Sequence, residues 1–245
     1  MNNRQFRLTL YALAALAMCS QAIAHPGGIT TPDPNLPPED VYLSPSDVHA
    51  MYGGAALAIV LTKPQHLPFR DLPPEYLQPG VQEHHDFAST LQGQGQCLGP
   101  NCVELGIPDG GMFPVSMAGR VQTVALGKGP TDTTGTFPTE MLGMSLSGVG
   151  PTPPFIMIRE SPTLPSLGET SITDVGGGLY HIDSFFDVFT ELSLDGGATW
   201  MPNTAPSAYG PPGSTRVILG IPEPASVVLV ALGALAFVGR TRRRS

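Results

Sequence analysis

Asp187 and Glu191 sit in the run Phe185 to Leu194, where apolar and polar residues alternate, so both carboxylates fall on one strand face. Paired acids can split glycosides when their carboxyls stand ~5 to 9.5 Å apart. Four residues at ~3.3 Å each put these two roughly 13 Å apart, so as a pair they read as solvated strand residues. Pairing of either acid with one on another strand leaves an extracellular glycoside hydrolase as the third reading. His84-His85-Asp86 is the only histidine cluster. In a strand, His84 and Asp86 share a face and offer two metal ligands, but no H-E-x-x-H and no second histidine pair accompany them. The triplet therefore reads as a polar strand start, and neither a metal nor another cofactor is expected. No G-x-S-x-G elbow, P-loop or dinucleotide fingerprint occurs, and the chain is not expected to be an enzyme.

The elements that would position these residues are strands. Gly (29) and Pro (27) are abundant enough among 245 residues to favour many turns over long helices. Val115, Met117, Val121 and Ala125 share one face of a bent strand, with Gly119 read as a bulge. Leu142, Met144 and Leu146 form the core face of another, and Phe155 to Ile158 suits a central strand. In Phe185 to Leu194 the even-numbered face, Phe186 to Leu194, is the apolar one. Asp195-Gly196-Gly197 then turns the chain back. Upstream, Ser44-Pro45-Ser46-Asp47 carries the signals of a helix start and predicts two helical turns, stopped by Gly53-Gly54. Residues 25–43 form a proline-rich leader expected to lie on or away from the surface. The expectation for 44–220 is a mainly β, β-sandwich-like domain with one short N-terminal helix.

Charge narrows the partners. Between His25 and Gly220 six lysines and arginines face nineteen acids, a net charge of −13 that disfavours nucleic acid. Cys97 and Cys102 are the two cysteines in that segment, and outside the cytoplasm the default for such a pair is a disulfide.

Ser193-Leu194-Asp195-Gly196-Gly197-Ala198-Thr199-Trp200 resembles the Asp-box hairpin of sialidase-type propellers and other extracellular β proteins. The resemblance implies structural roles: Asp195 accepting from turn amides, Gly197 at positive φ, Trp200 packed beneath the turn, with Ser193 and Thr199 completing the pattern. A propeller would need several copies at a regular period, and this chain has one.

The termini carry addresses. Arg4 and Arg7 precede an apolar run from Leu8 to Met18 and the small-residue pattern Ala22-Ile23-Ala24, which predicts a signal peptide over 1–24, handled by the Sec export machinery. Cys19 follows a methionine and reads as part of the discarded peptide. At the other end Pro222-Glu223-Pro224 is followed by an apolar run, Val227 to Val238, and by Arg240, Arg242, Arg243 and Arg244. Counted from Ala225 to Gly239, about fifteen residues, the run as a helix reaches only roughly 22 Å against a ~30 Å hydrocarbon core, a marginal transmembrane span with the arginines as its cytoplasmic stop. The whole of 221–245 resembles a PEP-CTERM sorting signal. That resemblance implies an exosortase-type membrane protease as partner, transient anchoring after crossing the inner membrane, and a final place on the surface or outside the cell, often with extracellular polysaccharide. The first reading is thus a non-enzymatic surface or matrix protein associated with exopolysaccharide. The second is a glycan-binding module using Phe185, Phe189 or Tyr209 as stacking residues.

Overall fold

A computed structural model describes residues 28–44, 49–77, 82–148, 156–207 and 210–220. The alternating pattern becomes thirteen strands: β1 Ile29–Thr31, β2 Tyr42–Leu43, β3 His49–Gly54, β4 Leu57–Phe69, β5 Glu75–Tyr76, β6 Gln82–Leu98, β7 Met112–Leu126, β8 Gly135–Gly148, β9 Ile156–Glu160, β10 Ser166–Gly176, β11 Leu179–Ser193, β12 Met201–Pro202 and β13 Ser214–Leu219. A short 3-10 turn spans Pro100–Leu105.

These strands close into an antiparallel barrel of eight positions, β2, β4, β6, β7, β8, β10, β11 and β13, with β13 pairing back onto β2. Four positions are built from more than one piece. β9 continues the place of β10 between β8 and β11, β1 and β12 that of β13 along β11, β3 that of β2 along β4, and β5 that of β4 along β6. Neighbours around the ring are neighbours in sequence, an up-and-down order.

The expected β-sandwich is therefore corrected. β4 and β6 pair from Ala58↔Leu98 to Phe69↔Ala88, and this contact removes the open edges that two stacked sheets would keep. At thirteen and seventeen residues these strands are long enough to hold a neighbour on each side. The expected N-terminal helix is corrected too: 49–54 forms β3, whose Ala50 and Tyr52 point inward while its backbone pairs with β4. Residues 45–48 lie outside the described residues. The expected C-terminal membrane helix falls in 221–245, outside the described residues; among the described residues no helix is long and apolar enough to cross a membrane.

The lumen has two halves. At the end that carries the Cys97–Cys102 disulfide, it is filled by Tyr52, Ile59, Leu146, Ile158 and Leu192, each at most 2% exposed. At the other end a strap, residues 32–41, joins β1, paired on β11, to β2 and lays Leu36, Pro37 and Pro38 into the mouth. The proline-rich segment is thus not peripheral there. Outward positions are mixed: Thr90, Gln92 and Gln94 of β6 are polar, while Met112 of β7 and Leu167 of β10 are exposed apolar residues. Cross-strand ion pairs tie this surface. Arg216 holds Asp187 at 2.8 and 2.6 Å, Arg159 holds Glu191 at 2.8 and 2.6 Å, and Arg120 reaches Asp86 at 2.7 Å and also Asp71.

Two facing assignments shift. Leu142 points outward, because a bulge opposite Gln122/Thr123 moves the inward positions to Met141 and Met144. Gly119 lies in regular register with Leu146; a Cβ there would stand 1.9 Å from the Ser145 carbonyl oxygen, so the glycine permits close approach of β7 and β8. Gly119→Ala is expected to force the strands apart and cost about 1–3 kcal/mol. A urea titration checks this through a lower midpoint at unchanged slope.

Candidate functional site

Because β6 begins at Gln82, its inward row starts with two ionisable groups, Glu83 and His85, before Phe87, Ser89 and Leu91. The turn after β7 folds back over the mouth and brings Lys128 to them. Glu83 is 1% exposed, Lys128 4% and His85 6%. Lys128 Nζ donates to Glu83 Oε2 at 2.6 Å, Tyr76 Oη donates to the same oxygen at 2.8 Å, and His85 Nε2 stands 2.8 Å from Oε1. Burial pushes the Glu83 carboxyl up, but contacts from His85, Lys128 and Tyr76 outweigh it, so it is held below the usual carboxylate value. Tyr76 is pushed up to about 12, by loss of solvent and then by the adjacent carboxylate.

Just inside lies a cavity of about 50 Å³ whose walls come from all eight barrel positions and from the strap. Phe87, Met141, Phe186, Val217 and Leu36 make it mostly apolar; His66, His85 and Thr139 are among its polar groups. His66 is only half-buried by area, yet the groups that enclose it strip its ring of water and pull it down to about 4, leaving a neutral imidazole at pH 7. Thr139 Oγ1 is buried without a hydrogen-bond partner. The strap is fastened by Arg70, which pairs with Asp33 and donates its backbone N–H to Glu39 Oε1 at 2.9 Å. Such a site can enclose a small molecule beside a charge-compensated Glu–Lys–His cluster.

The structure separates the residues singled out in the sequence. His84 and Asp86 face outward, His84 beside Gln82 at 3.1 Å and Asp86 beside Arg120 and Gln122, while His85 faces inward. Among the described residues no group of three or more His, Cys, Asp or Glu side chains is placed to hold a metal. Asp187 and Glu191 are each occupied by an arginine. Phe185 carries the Arg216 guanidinium 4.2 Å above its ring, Phe189 is half-buried, and Tyr209 lies outside the described residues. Cys97 and Cys102 form a disulfide, both fully buried.

The hairpin at 193–200 is a hydrogen-bonded turn. Asp195 accepts from the Thr199 amide at 2.8 Å and its hydroxyl at 2.6 Å, and from Ser193 Oγ at 2.8 Å. These bonds, Thr199's first, hold the Asp195 carboxyl down at about 2. Gly197 has φ 92°, Trp200 Nε1 donates to its carbonyl at 3.0 Å, and Arg159 stacks 4.1 Å over the indole. Ala22, Ala24, the Pro222-Glu223-Pro224 tripeptide and Arg240, Arg242, Arg243 and Arg244 lie outside the described residues.

Sequence reasoning missed Glu83, Lys128, His66 and Tyr76 as a group. One signal was present: extending the Phe87 parity back by two and four residues reaches His85 and Glu83. Nothing local marks Lys128.

Fold and site together define a small closed antiparallel barrel with a cavity at one mouth. Residues 220–244 match the PEP-CTERM protein-sorting motif, so the chain carries the address of an exported protein sorted by an exosortase. No curated protein and no solved structure matches the chain.

Proposed function

We propose that the chain is exported through the Sec machinery as a non-enzymatic barrel, cut by an exosortase-type membrane protease near Pro222-Glu223-Pro224, and kept at the surface or in the extracellular matrix with exopolysaccharide. One observation carries the reading. The barrel wall ends where the sorting motif begins: β13 stops at Leu219, and the Gly220 N–H makes a 2.9 Å bond to the Val41 carbonyl. Loss of everything beyond Ile221 would leave every wall strand intact. The non-enzymatic part is supported by the commitment of Asp86, Asp187, Glu191 and Glu83 to cationic partners.

The test is the intact mass of protein recovered outside the cells, with the natural tail and with Glu223→Ala. A natural product ending between Pro222 and Pro224, and a variant that keeps its tail in the membrane fraction, is the expected result. An intact Arg244-Ser245 end in both overturns the processing step. The matrix role expects the processed barrel to co-sediment with extracellular polysaccharide and to be released when that polysaccharide is digested.

A further inference from the structure

We propose that the strap end of the barrel binds a small uncharged molecule with an apolar body and one hydrogen-bonding group, held in the lumen beside His85 and Thr139 and covered by Leu36, Pro37 and Pro38. This goes beyond the export reading and does not depend on it. Protein interiors are close-packed, and the disulfide end of this lumen obeys that rule. The strap end instead leaves about 50 Å³ open, several times what one water needs.

Register places the polar groups. Glu83, Ala125 and Thr139 occupy one row across β6, β7 and β8, and His85, Thr123 and Met141 the next. Thr139 is 95% buried and lines the cavity with its hydroxyl unpartnered, so the site offers a hydrogen bond that no protein group takes. Charge settles the class of ligand. The Glu83 carboxylate is already balanced by Lys128, and His66 is neutral, so an ionic ligand would be desolvated with no counter-charge. Apolar walls at Phe87, Met141 and Phe186 favour a hydrocarbon body.

Size is set by the strap. The open volume takes only a few heavy atoms; anything larger must push Leu36 aside. Residues 32–41 have no strand pairing of their own and are fastened by Arg70, so the strap is the part of the wall that can yield.

The experiment is calorimetric titration of the full chain with benzyl alcohol, benzoate and benzylamine, which share a body and differ in charge. Saturable binding of benzyl alcohol alone is expected. Thr139→Val, which keeps the shape and removes the hydroxyl, is expected to weaken it roughly two- to tenfold, the worth of one hydrogen bond. Leu36→Ala is expected to tighten binding by enlarging the site. Absence of benzyl alcohol binding, equal binding of all three compounds, or unchanged affinity in Thr139→Val overturns the proposal. Circular dichroism of the two variants confirms the fold, since neither substitution touches a backbone bond.

Discussion

Replacing Lys128 by methionine will lower the stability of the barrel by about 3–5 kcal/mol, the cost of leaving one partner of a buried ion pair alone. Glu83 and Lys128 are both almost wholly enclosed, and among the described residues Lys128 is the one lysine or arginine touching that carboxylate. The pH dependence will change sign as well. In the natural chain the folded-state value of Glu83 lies below its ordinary one, so its stabilisation is complete above the usual carboxylate range and is lost as pH falls through the folded value. Without Lys128, burial is opposed only by His85 and Tyr76, and the folded carboxyl titrates above its unfolded value. A group shifted that way takes up a proton on folding, so the variant gains stability as pH falls. Adding Glu83→Gln to Lys128→Met removes the lone charge and recovers much of the loss, with a flat profile. Urea midpoints at pH 4, 5.5 and 7 for the three proteins decide this; a wild-type midpoint for the single variant would mean the cluster is solvated.

How much of this could be read from the residues depends on how local each cause is. The inward face of β11 was legible, because Phe186, Val188, Thr190 and Leu192 alternate with polar neighbours, and all four are buried. The turn at Asp195 was legible for the same reason: its bonds close within five residues. Barrel closure was not. Alternation is identical in a sandwich and a barrel, and what separates them is the pairing of β13 with β2, across most of the described chain. At 49–54 the nearby helix-start residues signalled a local preference, and pairing with β4 prevailed over it. Bulges defeat simple parity, which is why Leu142 went to the wrong side. The site suffered from one misplaced emphasis: in His84-His85-Asp86 the outer two residues are surface groups, and the inner one belongs to the lumen. Proline content made residues 25–43 look peripheral, whereas a strap without strand partners is where prolines cost least.

Leu192→Ala will cost near the top of the ~2–5 kcal/mol range for such truncations, whereas Met141→Ala will cost near the bottom. Leu192 is fully buried and lies in register with Ile158 of β9, which in turn lies in register with Leu146 of β8. These three side chains form one layer across neighbouring strands, at the end where the lumen is filled, and the paired strands of the wall there resist collapse into a new void. Met141 lines the cavity at the other end, where space is already open and the strap can follow a receding wall. The spread arises because the cost of a cavity depends on how far its surroundings relax, not on the methylenes removed. Urea unfolding of both variants at pH 7 measures the difference directly. Equal losses would mean that the two ends are packed alike and that the open volume is not a standing feature of the fold. A smaller loss at Met141 would show a barrel rigid at its disulfide end and yielding at its strap, the arrangement a lumenal site requires if its occupant is to enter past Leu36.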